Sequence, residues 1–180
     1  MLIGTLETVN CSFYLSGSGS ELYIGGTDED KYTGDIEFVS LDSSNAFWQA
    51  TSGKAKVVSI TVLTDSGTIL AYGSSSAINK IFARDSGSKL ALLLLFPEIS
   101  LNYSGQDWTI SADNFNLGQT ESGSSQCVAA LGETDFGFGD DLLLGNAFIK
   151  NMYVVFDLDQ EAVGFANSHE KSLRSLYCEI

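Results

Sequence analysis

Basic residues are scarce in this chain of 180 residues, because nine Lys and Arg stand against 23 Asp and Glu, for a net charge of -14. A surface with so few positive side chains repels the phosphate backbone of a nucleic acid. We therefore expect no nucleic-acid partner. The surplus of carboxylates also favours mildly acidic conditions, in which partial protonation relieves their repulsion, although a solvated acidic surface explains the same composition.

Histidine and cysteine, the usual zinc ligands, are almost absent. His169 is the single histidine, and the three cysteines, Cys11, Cys127 and Cys178, show no C-x-x-C spacing. The sequence therefore predicts no metal site. It also lacks the G-x-G-x-x-G and Walker glycine patterns, and we expect no cofactor. The cysteine count allows either one disulfide with one free thiol or three reduced cysteines.

Long hydrophobic runs are missing as well. The longest uncharged apolar run, LALLLLF at residues 90–96, is far shorter than the roughly 20 residues that span a bilayer. The N-terminal sequence MLIGTLETVN lacks the basic and long apolar parts of a signal peptide. We therefore expect no membrane partner and no signal peptide in this chain.

The residues that are plentiful indicate an all-β domain with one core. Hydrophobic residues make up 44% of the chain, charged residues 18%, and 18 glycines punctuate it, which is typical of short strands joined by turns. The strand-like segments are residues 21–26, 35–41, 47–53, 56–64, 98–105, 107–115 and 152–167. Within the last segment, DLDQE predicts a hairpin turn. One helix is predicted near residues 75–84, behind a serine-rich cap.

One polar stretch, Asp65-Ser66-Gly67-Thr68, stands between apolar runs in TVLTDSGTIL. A carboxylate in such a place is costly to bury unless hydrogen bonds receive it. Glycine permits a close backbone approach, and a hydroxyl beside the carboxylate can bond to a neighbouring backbone group. The tripeptide D-S-G alone is a common turn composition, so its flanks must carry the interpretation.

With these flanks the sequence resembles the C-terminal lobe of pepsin-like aspartic proteases of the fungal type. The landmarks follow the family's order over about residues 12–167: FYLSGSGSELYIGGTDEDKYTGDIEFVSL, FWQ, LTDSGTILAYGSSSAINKIFA, WTISADNFNLGQTESGSSQC and LLLGNAFIKNMYVVFDLDQEAVGFAN. The resemblance implies one lobe of a bilobal fold, with orthogonally packed sheets and short helices near residues 75–84 and 145–151. Residues 1–167 would form the lobe, and residues 168–180 a divergent, loosely attached tail.

The resemblance also implies a site built around a buried Asp65, which would be one of two catalytic aspartates. Ser66 would grip the loop of a partner lobe, and Gly67 would give a backbone N–H to the carboxylates. Thr68 would support the loop beside the substrate cleft. The ψ-shaped element that crosses behind the loop would be formed by Leu143, Leu144 and Gly145.

The activity that the resemblance implies is aspartic endopeptidase, acting on peptide or protein substrates outside the cell or in the vacuole. Such enzymes use two aspartates that share one proton: one activates a water and the other polarises the scissile carbonyl. We expect a single D-[ST]-G motif in this chain, the one at Asp65, and neither the N-terminal lobe nor the flap. The second aspartate would come from a complementing N-terminal lobe or from a second copy in a homodimer. The alternative is a non-catalytic, truncated paralogue that binds peptides or the parent enzyme.

Three further positions depart from the family pattern. Residues 88–100 contain no cysteine, although the usual partner of a cysteine at position 127 lies there. Ile69 stands where a small hydroxyl residue is frequent. Asn146 stands where Asp commonly follows the glycine of the ψ-shaped element.

Overall fold

The computed structural model describes residues 8–42, 47–55, 58–82, 99–103, 106–124, 127–134 and 142–169. Its strands are β1 (Asn10–Tyr14), β2 (Glu21–Ile24), β3 (Tyr32–Ser40), β4 (Gln49–Ala55), β5 (Val58–Thr64), β6 (Ala71–Gly73), β7 (Ile99–Tyr103), β8 (Gln106–Ile110), β9 (Asn116–Gln119), β10 (Cys127–Ala129), β11 (Leu131–Glu133), β12 (Leu142–Leu144), β13 (Met152–Asp157) and β14 (Ala162–Ser168). The helices are α1 (Ser75–Phe82), α2 (Ala112–Phe115) and α3 (Asn146–Ile149), with one 3-10 turn at Glu29–Lys31.

Strands dominate the described residues, and the three α-helices contain only eight, four and four residues. The prediction of an all-β fold is therefore confirmed. Helix α1 lies within the predicted range 75–84, whose last two residues are outside the described part of the chain. Its first turn is capped by Ser74, whose Oγ accepts a hydrogen bond from the N–H of Ala77 at 3.1 Å. Helix α3 lies within the predicted range 145–151.

One predicted strand is wrong in its second half. Residues 107–115 were expected to be extended, but β8 ends at Ile110 and α2 follows. The reason is a capping serine, because the backbone N–H of Asn114 donates to both the carbonyl oxygen and the Oγ of Ser111. The apolar pattern of this segment did not reveal the cap.

A five-stranded antiparallel sheet, in the order β2-β1-β13-β14-β3, contains the predicted C-terminal hairpin. All six residues of β13 are buried, which its continuous apolar sequence explains. The turn is stabilised by Asp157, a buried carboxylate that accepts hydrogen bonds from the backbone and side-chain amides of Gln160 at 2.9 and 2.8 Å. This pairing satisfies a charge that would otherwise be costly to bury.

A seven-stranded sheet, in the order β11-β6-β12-β5-β4-β7-β8, contains the loop that carries Asp65. Strands β9 and β10 form a separate hairpin. The main core includes aromatic side chains from several of these elements, among them Trp108 on β8, Phe148 on α3, and Phe156 and Phe165 on the C-terminal hairpin. This core fixes the position of α3, and therefore of the residues that precede it.

The two cysteines within the described ranges differ in state. Cys11 on β1 is free and partly buried, and burial raises the pKa of its thiol. Cys127, the first residue of β10, is disulfide-bonded. The alternative of three reduced cysteines is therefore wrong.

Helices that could cross a bilayer are not found among the described residues, since none is sufficiently long and apolar. The boundary between the lobe and the tail at residues 167 and 168 stays a prediction. Strand β14 ends at Ser168, and residues 170–180 lie outside the described part of the chain.

Candidate active site

Three strands of the seven-stranded sheet hold the D-S-G loop. Strand β5 leads into the loop, β6 leads out of it, and β12 lies between them. Strand β12 runs parallel to β5, with Leu143 opposite Leu63 and Leu144 opposite Thr64, and antiparallel to β6. The loop therefore connects β5 to β6, the two strands that flank β12. Because β12 pairs with both of these strands, it supports both ends of the loop.

The carboxylate of Asp65 is held by its own loop. Its Oδ1 accepts a hydrogen bond from the backbone N–H of Gly67 at 2.8 Å, and its Oδ2 accepts one from the hydroxyl of Thr68. Its backbone N–H donates to the carbonyl oxygen of Leu144 at 3.0 Å. Both the position of the side chain and that of its backbone are therefore fixed by neighbours.

The residues after β12 bind the far side of the same loop. The N–H of Asn146 donates to the carbonyl oxygen of Thr68 at 2.7 Å, and the N–H of Ala147 donates to that of Ile69 at 2.9 Å. Gly145 makes this approach feasible, because a Cβ there would lie only 2.3 Å from the carbonyl oxygen of Leu70. The predicted proximity of Leu143, Leu144 and Gly145 to the loop is thus observed.

The profile of the eukaryotic aspartyl protease family matches residues 3–168 of the chain. The chain belongs to this family. One relative is an aspartic protease of Phaffia rhodozyma, which is 28% identical over 92% of this chain and 45% of the relative's length. Another is penicillopepsin-3 of Penicillium janthinellum, which is 30% identical over 79% of this chain and 40% of the relative's length. A third is cathepsin D of Dictyostelium discoideum, which is 28% identical over 92% of this chain and 49% of the relative's length. The chain spans about half the length of these relatives, and its structure is a single lobe of the pepsin-like fold.

The expectation that Asp65 is buried needs correction, because the described structure leaves this residue only partly buried. Ser66 is also partly exposed, and its hydroxyl has no hydrogen-bond partner within the described residues. The physical reason is that the loop's inner side is covered by β12 and α3, whereas the described part of the chain does not cover its outer side.

Ile69 and Asn146, two of the positions that depart from the family pattern, differ in their surroundings. The side chain of Ile69 is 71% exposed although its carbonyl oxygen is fixed by α3. The Oδ1 atom of Asn146 is buried and has no hydrogen-bond partner in the described structure. The anchoring amides of Asn146 and Ala147 were not predicted from the sequence, because backbone donors leave no signature in residue type.

The expectation of a single D-[ST]-G motif is wrong, because a second copy of the tripeptide occurs at Asp85-Ser86-Gly87. Asp85 follows Ala83-Arg84 and is followed by Ser88-Lys89, so it lacks the apolar runs around Asp65. Residues 83–98 lie outside the described part of the chain. The family profile covers both copies of the tripeptide. The arrangement of β5, β6 and β12 surrounds the copy at Asp65.

The described residues offer no group of three or more His, Cys, Asp or Glu side chains arranged to hold a metal ion. The chemistry open to the loop is that of a positioned carboxylate. Such a group binds or activates water through its free lone pairs and donates or accepts one proton.

Proposed function

We propose that this chain is the C-terminal lobe of an aspartic endopeptidase and supplies Asp65 as one of the two carboxylates that hydrolyse a peptide bond. The observation that carries the proposal is the geometry of this carboxylate. Each of its oxygens accepts one hydrogen bond from the loop itself, and the loop is fixed from behind by β12 and α3. A reacting group held in this way needs little reorganisation during the reaction.

The loop residues have distinct parts in this proposal. The N–H of Gly67 and the hydroxyl of Thr68 orient the carboxylate of Asp65. A carboxylate oxygen has about two lone pairs, so each oxygen keeps one acceptor position. One of these positions receives the attacking water, and another receives the proton that a second aspartate shares with Asp65.

The second aspartate comes from outside the described site. The chain spans 40–49% of the length of the relatives named above, which supports a complementing N-terminal lobe as its source. The unpartnered hydroxyl of Ser66 is available to bond the loop of that lobe. A homodimer is the second source, with Asp65 of each copy facing the other across a two-fold axis.

The substrates of this site are peptides or proteins, and the compartment is oxidising. The disulfide at Cys127 supports this location, because disulfides persist outside the cell and in secretory compartments and are rare in the cytosol. The extracellular space or the vacuole fits both the disulfide and the acidic composition.

A cleavage assay with two matched variants tests the proposal. Acid-denatured haemoglobin or casein is incubated at about pH 4, where an aspartate pair shares one proton, with the chain alone over a concentration series. A parallel series adds the separately produced N-terminal lobe of penicillopepsin-3. We expect pepstatin-sensitive cleavage in the complemented series, loss of cleavage in Asp65→Asn, and retention in Asp85→Asn.

The fold of Asp65→Asn is expected to remain intact. Its side-chain oxygen still accepts from Gly67, and the hydroxyl of Thr68 can rotate to accept from the new amide. Cleavage by the chain alone that rises with the square of its concentration supports the homodimer. Cleavage that survives Asp65→Asn contradicts the proposal. Absence of cleavage in both series, with peptide binding retained, favours the non-catalytic binding protein.

A further inference from the structure

Two triplets of the chain match the N-x-[ST] pattern at which an asparagine accepts an N-linked glycan. They are Asn10-Cys11-Ser12 and Asn102-Tyr103-Ser104. So short a pattern often arises by chance, and the sequence alone selects neither copy. A glycan is bulky and solubilising, so a folded protein accommodates it where the side-chain amide faces solvent. The surroundings of the two asparagines therefore decide between them.

Asn102 lies on the polar face of the β7–β8 hairpin. It is partly exposed and stands directly opposite Asp107, which is exposed. Its Nδ2 donates a hydrogen bond to the Oδ1 of Asp107 at 2.6 Å, and this pair lies at the surface. Trp108 and Ile110 alternate onto the other face of β8 and are buried. The alternation of the hairpin therefore turns the amide of Asn102 away from the core.

Asn10 is partly exposed as well, but its neighbours are buried polar groups. In β1 it stands opposite Asp157, which is only 4% exposed. Ser12 follows on the same face of β1, is buried, and shares a hydrogen bond of 2.6 Å with the hydroxyl of Tyr153. A glycan on Asn10 would begin beside groups whose hydrogen bonds belong to the interior of the sheet.

We propose that Asn102 carries an N-linked glycan and that Asn10 does not. This modification rests on the extracellular or vacuolar location proposed above, because the transferase acts in the lumen of the secretory route. The transferase recognises the triplet in the unfolded chain, so Ser104, which lies outside the described part of the chain, contributes only its sequence. A carboxamide nitrogen has two N–H donors. The modified nitrogen keeps one of them, which remains available to Asp107.

The glycan donor is an oligosaccharide joined through a diphosphate to a membrane lipid. The Nδ2 of Asn102 attacks the anomeric carbon of the first sugar, where a carbon–nitrogen bond forms. The bond from that carbon to the diphosphate oxygen breaks, and the lipid diphosphate leaves with the electron pair. The amide loses one proton to a base of the transferase. The step is a substitution in which nothing is oxidised or reduced.

The position of Asn102 keeps such a glycan away from the Asp65 loop. Asn102 stands opposite Lys54 of β4, and Lys54 stands opposite Ser59 of β5. Ser59 is near the beginning of β5, whereas Thr64 ends this strand and leads into the loop. At about 3.4 Å per residue, these two positions are about 17 Å apart along the strand. A glycan at Asn102 therefore leaves the outer side of the loop uncovered.

Production in a eukaryotic secretory host tests the modification. The chain is expressed in yeast or insect cells behind a cleavable leader of the host, and the secreted and microsomal fractions are collected. A peptide N-glycosidase then releases the glycans in isotopically heavy water, which marks each modified asparagine as a labelled aspartate in peptide mass spectra. We expect the label at Asn102 and none at Asn10 in the secreted chain. Secreted chain with unmodified Asn102, or with a glycan on Asn10, overturns the proposal. Where no chain is secreted, the microsomal fraction gives the result for Asn102, because the transfer precedes folding.

Matched variants identify the acceptor. Asn102→Gln and Ser104→Ala each remove the second triplet, whereas Asn10→Gln removes the first. We expect the glycosidase-sensitive mobility shift to be lost in the first two variants and unchanged in Asn10→Gln. Ser104→Ala keeps the side chain that bonds Asp107, so it separates loss of the acceptor signal from loss of that hydrogen bond. A shift that survives Ser104→Ala contradicts the assignment. Because the leader supplies entry to the lumen, an unmodified Asn102 contradicts the glycan without deciding the cleavage assay on Asp65.

Discussion

Gly145 has no space for a side chain, because it lies where the residues after β12 approach the Asp65 loop. An added Cβ would lie 2.3 Å from the carbonyl oxygen of Leu70 and 2.5 Å from that of Thr68. Both are backbone atoms, which cannot move aside as the end of a flexible side chain can. We predict that Gly145→Ala lowers the free energy of unfolding by about 3 kcal/mol or more, as measured by urea denaturation.

The matched control for this variant is Gly26→Ala. A Cβ at Gly26 would meet only the ring of Tyr23, at 3.1 Å, and that side chain is exposed and free to adjust. We expect a change of less than about 1 kcal/mol for the control. Equal destabilisation of both variants would show that the close approach at Gly145 is not what limits the substitution.

Single residues of the site were predictable from the sequence to different degrees. The loop position of Asp65 was predicted because its polar tetrapeptide stands between apolar runs, and the contact with Gly145 was implied by the family resemblance. The partial burial of Asp65 was not predicted, since it depends on what the rest of the chain leaves uncovered. The anchoring amide of Ala147 was also missed, because a backbone donor more than 70 residues away leaves no local signal.

At the scale of elements, the side chain of Asn151 joins α2 to α3. Its Oδ1 accepts from the N–H of Ser111 at 2.8 Å and from the amide of Asn114 at 3.0 Å. Its Nδ2 donates to the carbonyl oxygens of Ala147 and Phe148 at 2.8 and 2.9 Å. One side chain thus satisfies the last carbonyls of α3 and the start of α2.

We predict that Asn151→Ala lowers the free energy of unfolding by roughly 2–3 kcal/mol, because it leaves several partly buried polar groups without their partner. The comparison is Asn167→Ala, at an exposed residue of β14 whose side chain has no hydrogen bond in the described structure. Denaturant titrations of both variants should give a change below about 0.5 kcal/mol for Asn167→Ala. Similar midpoints for the two variants would contradict a joining role for Asn151.

Elements were predictable where the sequence pattern is long. The C-terminal hairpin and α1 each extend over eight residues or more, so their periodicity and turn residues are visible. Strands β6, β11 and β12 contain three residues each, which is too short for an alternation to be recognised. They exist because they pair with one another across the sheet, and this long-range pairing also places β12 behind the Asp65 loop.

At the scale of the whole molecule, strand β2 combines exposed apolar side chains with a sheet edge that no described strand pairs with. It is the terminal strand of the five-stranded sheet, and Leu22, Tyr23 and Ile24 are 54%, 42% and 62% exposed. An apolar edge strand is a template for pairing with another chain. The net charge of -14 opposes contact between two copies.

These opposing effects predict self-association that depends on salt. Screening lengths fall from about 10 Å at 0.1 M salt to about 3 Å at 1 M, so high salt removes most of the repulsion and leaves the apolar edge. We expect sedimentation equilibrium to show monomer at low salt and dimer at 1 M salt. The double variant Leu22→Lys and Ile24→Lys should weaken the dimer at least tenfold, since each apolar side chain contributes about 1.5 kcal/mol or more when buried.

The charge-matched control is Leu117→Lys with Val128→Lys, at two apolar residues of the β9–β10 hairpin that are 49% and 44% exposed. Equal weakening of the dimer by the control pair would assign the effect to charge alone. A monomer at all salt concentrations would show that β2 does not mediate self-association.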